Sequence, residues 1–264
     1  MRGRVLIIAG SDSGGGAGIQ ADIKTVTALG GYAATAITAL TAQNTRGVFA
    51  ILDVPPAFIA QQIELVLDDI GADCIKIGML HRADVIETVA DVLEGRAAAI
   101  PLVLDPVMVA KGGHPLLATD ATESLRQRLL PMATVLTPNL PEAEALVGAA
   151  APEMLVARLL ALGPKAVLLK GGHGAGPVLT DVLGRADGAP EAFESARMDT
   201  SSTHGTGCTL ASAIATGIAQ GLDLRPAVVR ARAYVRQAIL SAPGFGHGHG
   251  PLNHGHTMVP DTGD

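Results

Sequence analysis

Apolar positions fall along the chain in two rhythms. Short unbroken apolar runs at 5–9, 102–104 and 166–169 read as buried strands, and 32–42, 73–80 and 134–136 read as strands as well. Between them, apolar residues recur at helical spacing over 19–29, 55–69, 84–93 and 123–130, and over 142–162 with a break near 148–152. Gly30-Gly31 stops the first of these helices. Two shorter, more polar runs, 178–183 and 192–198, are separated by turn residues and predict an antiparallel edge hairpin. Helices over 209–220 and 226–240 follow, and a Gly- and His-rich tail begins at about 244.

Repeated strand–loop–helix alternation predicts an α/β fold with a mainly parallel sheet. No linker-like stretch or internal repeat divides the chain, so one domain over 1–264 is expected. Polar residues stand just after the strands: Asp12, Gln43, Asp105, Asn139 and Lys170. In such sheets a ligand lies against the carboxyl ends of the strands.

Composition narrows the function classes. The 264 residues hold 32 glycines, no Trp, four Phe and two Tyr, which points to an Ala/Val/Leu/Ile core beneath many turns. A net charge of −6 and so few aromatic rings argue against nucleic acid as partner. Cys74 and Cys208 do not make a disulfide framework, and a reducing cytosol is the simplest home. The N-terminal apolar run is too short for a signal peptide, and no stretch approaches the roughly 18–20 apolar residues of a membrane span.

Two glycine-rich loops carry the candidate chemistry. Residues 10–18 join a strand to a helix, yet they fit neither G-x-G-x-x-G nor a Walker A loop, and G-x-S-x-G is absent from the chain. The dinucleotide oxidoreductase reading fails on that spacing. The second loop, Thr203-His204-Gly205-Thr206-Gly207-Cys208, runs into a helix whose N-terminal N–H groups form an anion site. Cys208, in the first turn, is expected to have a lowered thiol pKa. Two readings stand at this point: phosphoryl transfer, and a helix cap with a buried cysteine.

The motifs occur in a recognisable order. Ala9-Gly10-Ser11-Asp12-Ser13-Gly14-Gly15-Gly16-Ala17-Gly18-Ile19-Gln20-Ala21-Asp22 is followed by Thr38-Ala39-Leu40-Thr41-Ala42-Gln43-Asn44-Thr45, Lys76-Ile77-Gly78-Met79-Leu80 and Asp105-Pro106-Val107-Met108. Thr137-Pro138-Asn139-Leu140-Pro141-Glu142-Ala143, Leu169-Lys170-Gly171-Gly172-His173, His204-Gly205-Thr206-Gly207-Cys208 and Gly246-His247-Gly248-His249-Gly250-Pro251 come after. Over nearly its whole length the chain resembles the hydroxymethylpyrimidine/phosphomethylpyrimidine kinases of thiamine biosynthesis, in the ribokinase-like superfamily. The resemblance implies a three-layer α/β/α sandwich with a mainly parallel central sheet and an antiparallel edge. It implies ATP and Mg²⁺, and an aminopyrimidine alcohol phosphorylated first to the monophosphate and then to the diphosphate. A cytoplasmic homodimer is the usual assembly of such relatives.

Residue by residue, the resemblance makes Gln43 the pyrimidine reader, a bidentate role for an amide; the alternative is a surface glutamine at a strand end. Gly10, Ala17, Asp22, Met79 and Val107 would line the same substrate pocket. Cys208 would take the proton of the alcohol. The N–H groups of Gly205, Thr206, Gly207 and Cys208 would hold the developing phosphoryl charge. Lys170 would approach the ATP phosphates, with Asn139 and Thr206 also on the nucleotide. Asp105 and Glu142 would act on Mg²⁺ mostly through waters; Asn139 and Glu142 would equally cap the helix after them. Gly112 and His114 depart from the family's lid loop, where Lys111 would touch a phosphate, and Arg232 carries little weight. His247, His249, His254 and His256 raise a metal site, but no carboxylate or cysteine accompanies them. Pyridoxal kinase, on the same fold, is the near alternative. A non-catalytic pyrimidine-binding regulator is the distant one.

Overall fold

The computed structural model describes residues 1–110, 112–118, 120–173 and 176–258. In chain order its elements are β1 (Arg4–Asp12), α1 (Gly18–Ala28), β2 (Tyr32–Asn44), β3 (Gly47–Asp53), α2 (Pro56–Asp69), β4 (Cys74–Ile77), α3 (Ala83–Arg96) and β5 (Leu102–Leu104). They continue with α4 (Ala121–Ser124), β6 (Val135–Leu136), α5 (Leu140–Val147), α6 (Pro152–Leu160), β7 (Ala166–Leu169), β8 (Val178–Arg185), β9 (Glu191–Ala196), α7 (Thr206–Ala219) and α8 (Leu224–Leu240). Among the described residues nine strands form one sheet, in the order β3-β2-β1-β4-β5-β6-β7-β8-β9. The six central strands, β2 to β7, pair in parallel, while β3 on one edge and β8 and β9 on the other are antiparallel.

Alternation along each strand explains the layers. Leu6 and Ile8 of β1 point into a core with α2, α3, α5 and α6, whereas Val5, Ile7 and Ala9 point into one with α1, α7 and α8. Both faces of the central strands are therefore covered, which is why these runs are continuously apolar.

Three expectations about elements change. The hairpin at 178–183 and 192–198 forms as β8 and β9, but a second antiparallel edge, β3, was not foreseen. Val48-Phe49-Ala50-Ile51-Leu52 is an unbroken apolar run that marks it in the sequence, and Phe49 and Leu52 stay exposed because the strand lies at the edge of the sheet. The helix expected at 123–130 is only one α turn, followed by a wider turn over Leu125–Leu129 and a tight one over Leu130–Met132. Pro131 has no N–H to continue the ladder. α7 begins at Thr206, three residues before the expected start, so Gly207 and Cys208 lie inside the helix.

Candidate active site

The carboxyl ends of the parallel strands open into a cavity of about 1120 Å³. Gly10, Ala17, Gln43, Met79, Val107, Asp105, Asn139, Glu142, Lys170, Gly205, Thr206, Gly207 and Cys208 all line it. Of the residues expected there, Asp22 is the exception. Its carboxylate is fully buried behind the wall, where Lys76 Nζ (2.8 Å) and the Ser212 hydroxyl (2.7 Å) donate to it. Asp22 lies four residues into α1, on the face turned to α7 rather than to the cavity, and this corrects its placement as a substrate contact.

One end of the cavity is built around Asp12, the last residue of β1. The 14–17 loop folds over its carboxylate, and the N–H groups of Gly14 (2.8 Å), Gly16 (3.1 Å) and Ala17 (2.8 Å) donate to it. His204 Nε2 adds a fourth contact at 2.8 Å. Burial pushes the Asp12 carboxyl up, but the His204 ring and the loop N–H groups outweigh it and hold it below its ordinary value.

A carboxylate only accepts, so Nε2 of His204 carries the proton. The same nitrogen lies 3.3 Å from the Gln43 amide, and the Thr41 hydroxyl, whose single proton goes to Ser11 O at 2.9 Å, lies 3.1 Å from it on the other side. The Nε2 proton is spent on Asp12, so the Gln43 side chain, on the cavity lining, keeps amide donor and acceptor capacity for a ligand. Met79 closes this end: a Cβ on Gly10 would sit 3.0 Å from its sulfur.

The adjoining wall is the start of α7. Gly205 has φ +80°, and a Cβ there would lie 1.9 Å from Gly16 O, so only glycine lets the two loops meet. The helix thus presents the N–H groups of residues 206–208 at its positive end. Cys208 lines the cavity and is only part-buried. Enough protein surrounds it that burial pushes the thiol up to about 12, against the opposing pull of Lys76. The expected low thiol pKa is therefore overturned: burial outweighs the pull of Lys76.

Lys76 stands in the middle of β4 with no exposed surface. Burial is the largest influence and opposes its charge, but Asp22, Cys208 and Asp105 together outweigh it and hold the ammonium above its ordinary value. Gly78 leaves it room, since a Cβ there would lie 2.9 Å from Nζ.

A third cluster lies beside Gly207. Lys170 Nζ is 2.8 Å from Asp105 Oδ1 and 3.9 Å from Glu142 Oε2. Asn139 and Glu142 form a reciprocal cap at the start of α5, with Glu142 N–H to Asn139 Oδ1 at 2.9 Å and Asn139 N–H to Glu142 Oε2 at 2.8 Å. Burial pushes the Glu142 carboxyl up to about 7; Lys170 pulls it down and Asp105 pushes it further up. Two crowded carboxylates, one of them protonating near neutrality, suit a divalent cation that keeps its own waters.

A family model described as phosphomethylpyrimidine kinase matches residues 12–253. The chain belongs to this family. The hydroxymethylpyrimidine/phosphomethylpyrimidine kinase of Streptomyces coelicolor is 49% identical over 257 residues, 95% of this chain and 94% of that one. The thiamine biosynthesis bifunctional protein ThiED of Geobacter sulfurreducens is 52% identical over 260 residues, and this chain spans 52% of its length. Among solved structures, an ADP complex of Bacillus subtilis pyridoxal kinase superposes with a TM-score of 0.87 at 33% identity, covering 96% of this chain and 98% of that one. The fold is accordingly ribokinase-like, and the protein is a phosphotransferase.

Within this kinase, four contributors escaped the sequence reading. Asp12 stood among the strand-end polar residues and His204 inside a motif, but neither had a stated partner, because their pairing joins residues 192 positions apart. Lys76 had a signal, a lysine inside an apolar strand run, which burial makes untenable without a partner. Arg232, given little weight, donates to Asp181 Oδ2 (2.8 Å) and Phe193 O (2.8 Å), tying α8 to the far side of the cavity. Lys111 lies outside the described residues.

Proposed function

We propose that this kinase transfers the terminal phosphoryl group of ATP to the hydroxymethyl oxygen of 4-amino-5-hydroxymethyl-2-methylpyrimidine, and then transfers a second to the resulting monophosphate. The observation that carries the reading is the shared cavity. An amide reader (Gln43) backed by Met79 faces one end, and the N–H groups of 206–208 face Lys170 and Asp105 at the other. The relatives' names support the substrate class.

Gln43 and Met79 orient the ring. The N–H groups of Gly205 to Cys208 receive the equatorial oxygens as charge develops, and Lys170 neutralises a neighbouring one. Asp105 and Glu142 would hold Mg²⁺, which shields phosphate charge when bound. The part of the cavity lined by Phe193 of β9 and by Val229 and Ile239 of α8, with Arg232 and Arg236 beside them, would take the nucleoside.

Cys208 accepts the alcohol's proton only as a thiolate, a form made scarce by burial. Lys76 supplies the opposite charge that keeps it within reach. The monophosphate acceptor is already an anion and needs no base. The chain acts as one kinase domain.

The test is a side-by-side comparison of the aminopyrimidine alcohol and pyridoxal as acceptors, with ATP and Mg²⁺, followed as kcat/KM. The reading expects the pyrimidine to be preferred. A preference for pyridoxal would move the activity to the one named for the Bacillus neighbour, and binding of pyrimidine without turnover would overturn the transfer itself.

A further inference from the structure

The glycine- and histidine-rich C-terminal segment is not a free tail. His204 N–H donates to Gly250 O at 3.1 Å, and Gly250 N–H donates to Ser201 O at 3.1 Å. A parallel bridge joins His204 to Pro251. Upstream in the segment, Thr45 O accepts the His249 N–H at 2.8 Å, so the same strap reaches the hairpin that carries Gln43. Glycines make the contact possible: a Cβ on Gly248 would lie 2.1 Å from Thr45 O. Among the described residues no group of metal-ligating side chains gathers here. His254 is instead buried against α7, with Nε2 3.0 Å from Thr209 Oγ1, while its backbone oxygen accepts the Tyr234 hydroxyl at 2.6 Å.

Proton counting gives this contact a direction. The Thr209 hydroxyl has one hydrogen, and it goes to Gly205 O at 2.8 Å, an oxygen that also accepts the Thr209 N–H at 2.9 Å. His254 Nε2 must therefore be the donor to Thr209. Burial, with Lys24 and His256 nearby, keeps the imidazole neutral by pushing its pKa down to about 4. The Gly205 carbonyl shares a planar trans peptide with the Thr206 N–H, which points the opposite way. Thr206 N–H has only a long contact within the chain, 3.5 Å to Thr203 O. Holding the carbonyl into the helix fixes the direction of this N–H, on a residue that lines the cavity.

We infer that His254 is a positioning residue for phosphoryl transfer, acting through Thr209 and the Gly205 carbonyl to fix the Thr206 N–H toward the transferred group. The C-terminal strap is thus part of the active site without touching substrate. This inference rests on the kinase reading above. The two fail differently: absence of turnover by the native chain removes that reading, whereas the inference fails in variants of an active enzyme.

The experiment compares His254→Phe, which keeps volume but removes the donor, with His254→Gln, which restores one, and with Thr209→Val and Thr209→Ser. His254→Phe and Thr209→Val are each expected to lower kcat about tenfold with KM for ATP and for the pyrimidine unchanged, the scale of one neutral hydrogen bond. The double variant should be no worse than either alone, because both break one chain of contacts. Thr209→Ser and His254→Gln should recover most of the rate. Wild-type kcat in His254→Phe, or losses that multiply in the double variant, would overturn the inference. Should His254→Phe fail to fold, the Thr209 pair carries the same test, and equal rates in Val and Ser would refute it.

Discussion

Replacing Lys76 with Met separates what the buried cation does for folding from what it does for the reaction. Lys76 and Asp22 are both without exposed surface and 2.8 Å apart. Removing one member of such a pair strands the other, at a cost of about 3–5 kcal/mol. Lys76→Met should therefore melt well below the native protein. Adding Asp22→Asn removes the stranded charge and leaves an acceptor for the Ser212 hydroxyl, so most of that loss should return.

The catalytic loss should not return with it. A cation near a thiol is worth about one to two pKa units of thiolate stabilisation. That corresponds to about 1.4–2.7 kcal/mol, or ~10–100-fold in the rate of a step that uses the thiolate. Because burial holds the thiol at about 12, the thiolate fraction rises as pH rises and stays small throughout neutral pH. The alcohol step should therefore climb about tenfold per pH unit between about pH 7 and about pH 9, and the monophosphate step should stay flat. Steady-state rates on both acceptors, alongside thermal melts, measure all of this. A double variant of native stability and undiminished rate on the alcohol would refute the role of Lys76.

Further outcomes follow from the same geometry. Cys208→Ala should damage the alcohol step far more than the monophosphate step, and equal losses would remove the base assignment. Gly205→Ala forces a Cβ onto Gly16 O at a positive φ; it should lower the melting temperature and cut turnover at least about a hundredfold, whereas a stable, active variant would contradict the loop packing. Gln43→Leu should raise KM for the pyrimidine about 10–100-fold, the loss of two hydrogen bonds, with KM for ATP unchanged. For His254 the unfolded chain binds a proton below about pH 6.5, while the folded chain resists it down to about 4. Stability should thus fall by ~3 kcal/mol as pH drops through that window. His254→Phe should flatten this part of the denaturation–pH curve, and an unchanged slope would show that His254 is not the source.

Much of this architecture is legible along the chain, because parallel strands covered on both faces are unbroken apolar runs. The run 5–9 in β1 and the strand-end residues Gln43, Asp105, Asn139 and Lys170 fall where alternation places them. What stayed hidden depends on three dimensions. Asp22 belongs to a glycine-rich motif but turns toward α7, a matter of helix phase that the motif does not encode. The first-turn position of Cys208 is visible in sequence, whereas the burial that pushes its thiol up is not. His254 gains meaning only from Thr209, 45 positions away. β3 is different: its apolar run 48–52 is there to be read, and only its place at the sheet edge, which leaves Phe49 and Leu52 exposed, needs the structure.

The most direct test is a mass-resolved time course of the purified protein with ATP, Mg²⁺ and 4-amino-5-hydroxymethyl-2-methylpyrimidine. The account expects the monophosphate to appear first and then to be consumed as the diphosphate accumulates, with both made by the same protein. An unphosphorylated pyrimidine, in a preparation that binds it, would contradict the account at its centre.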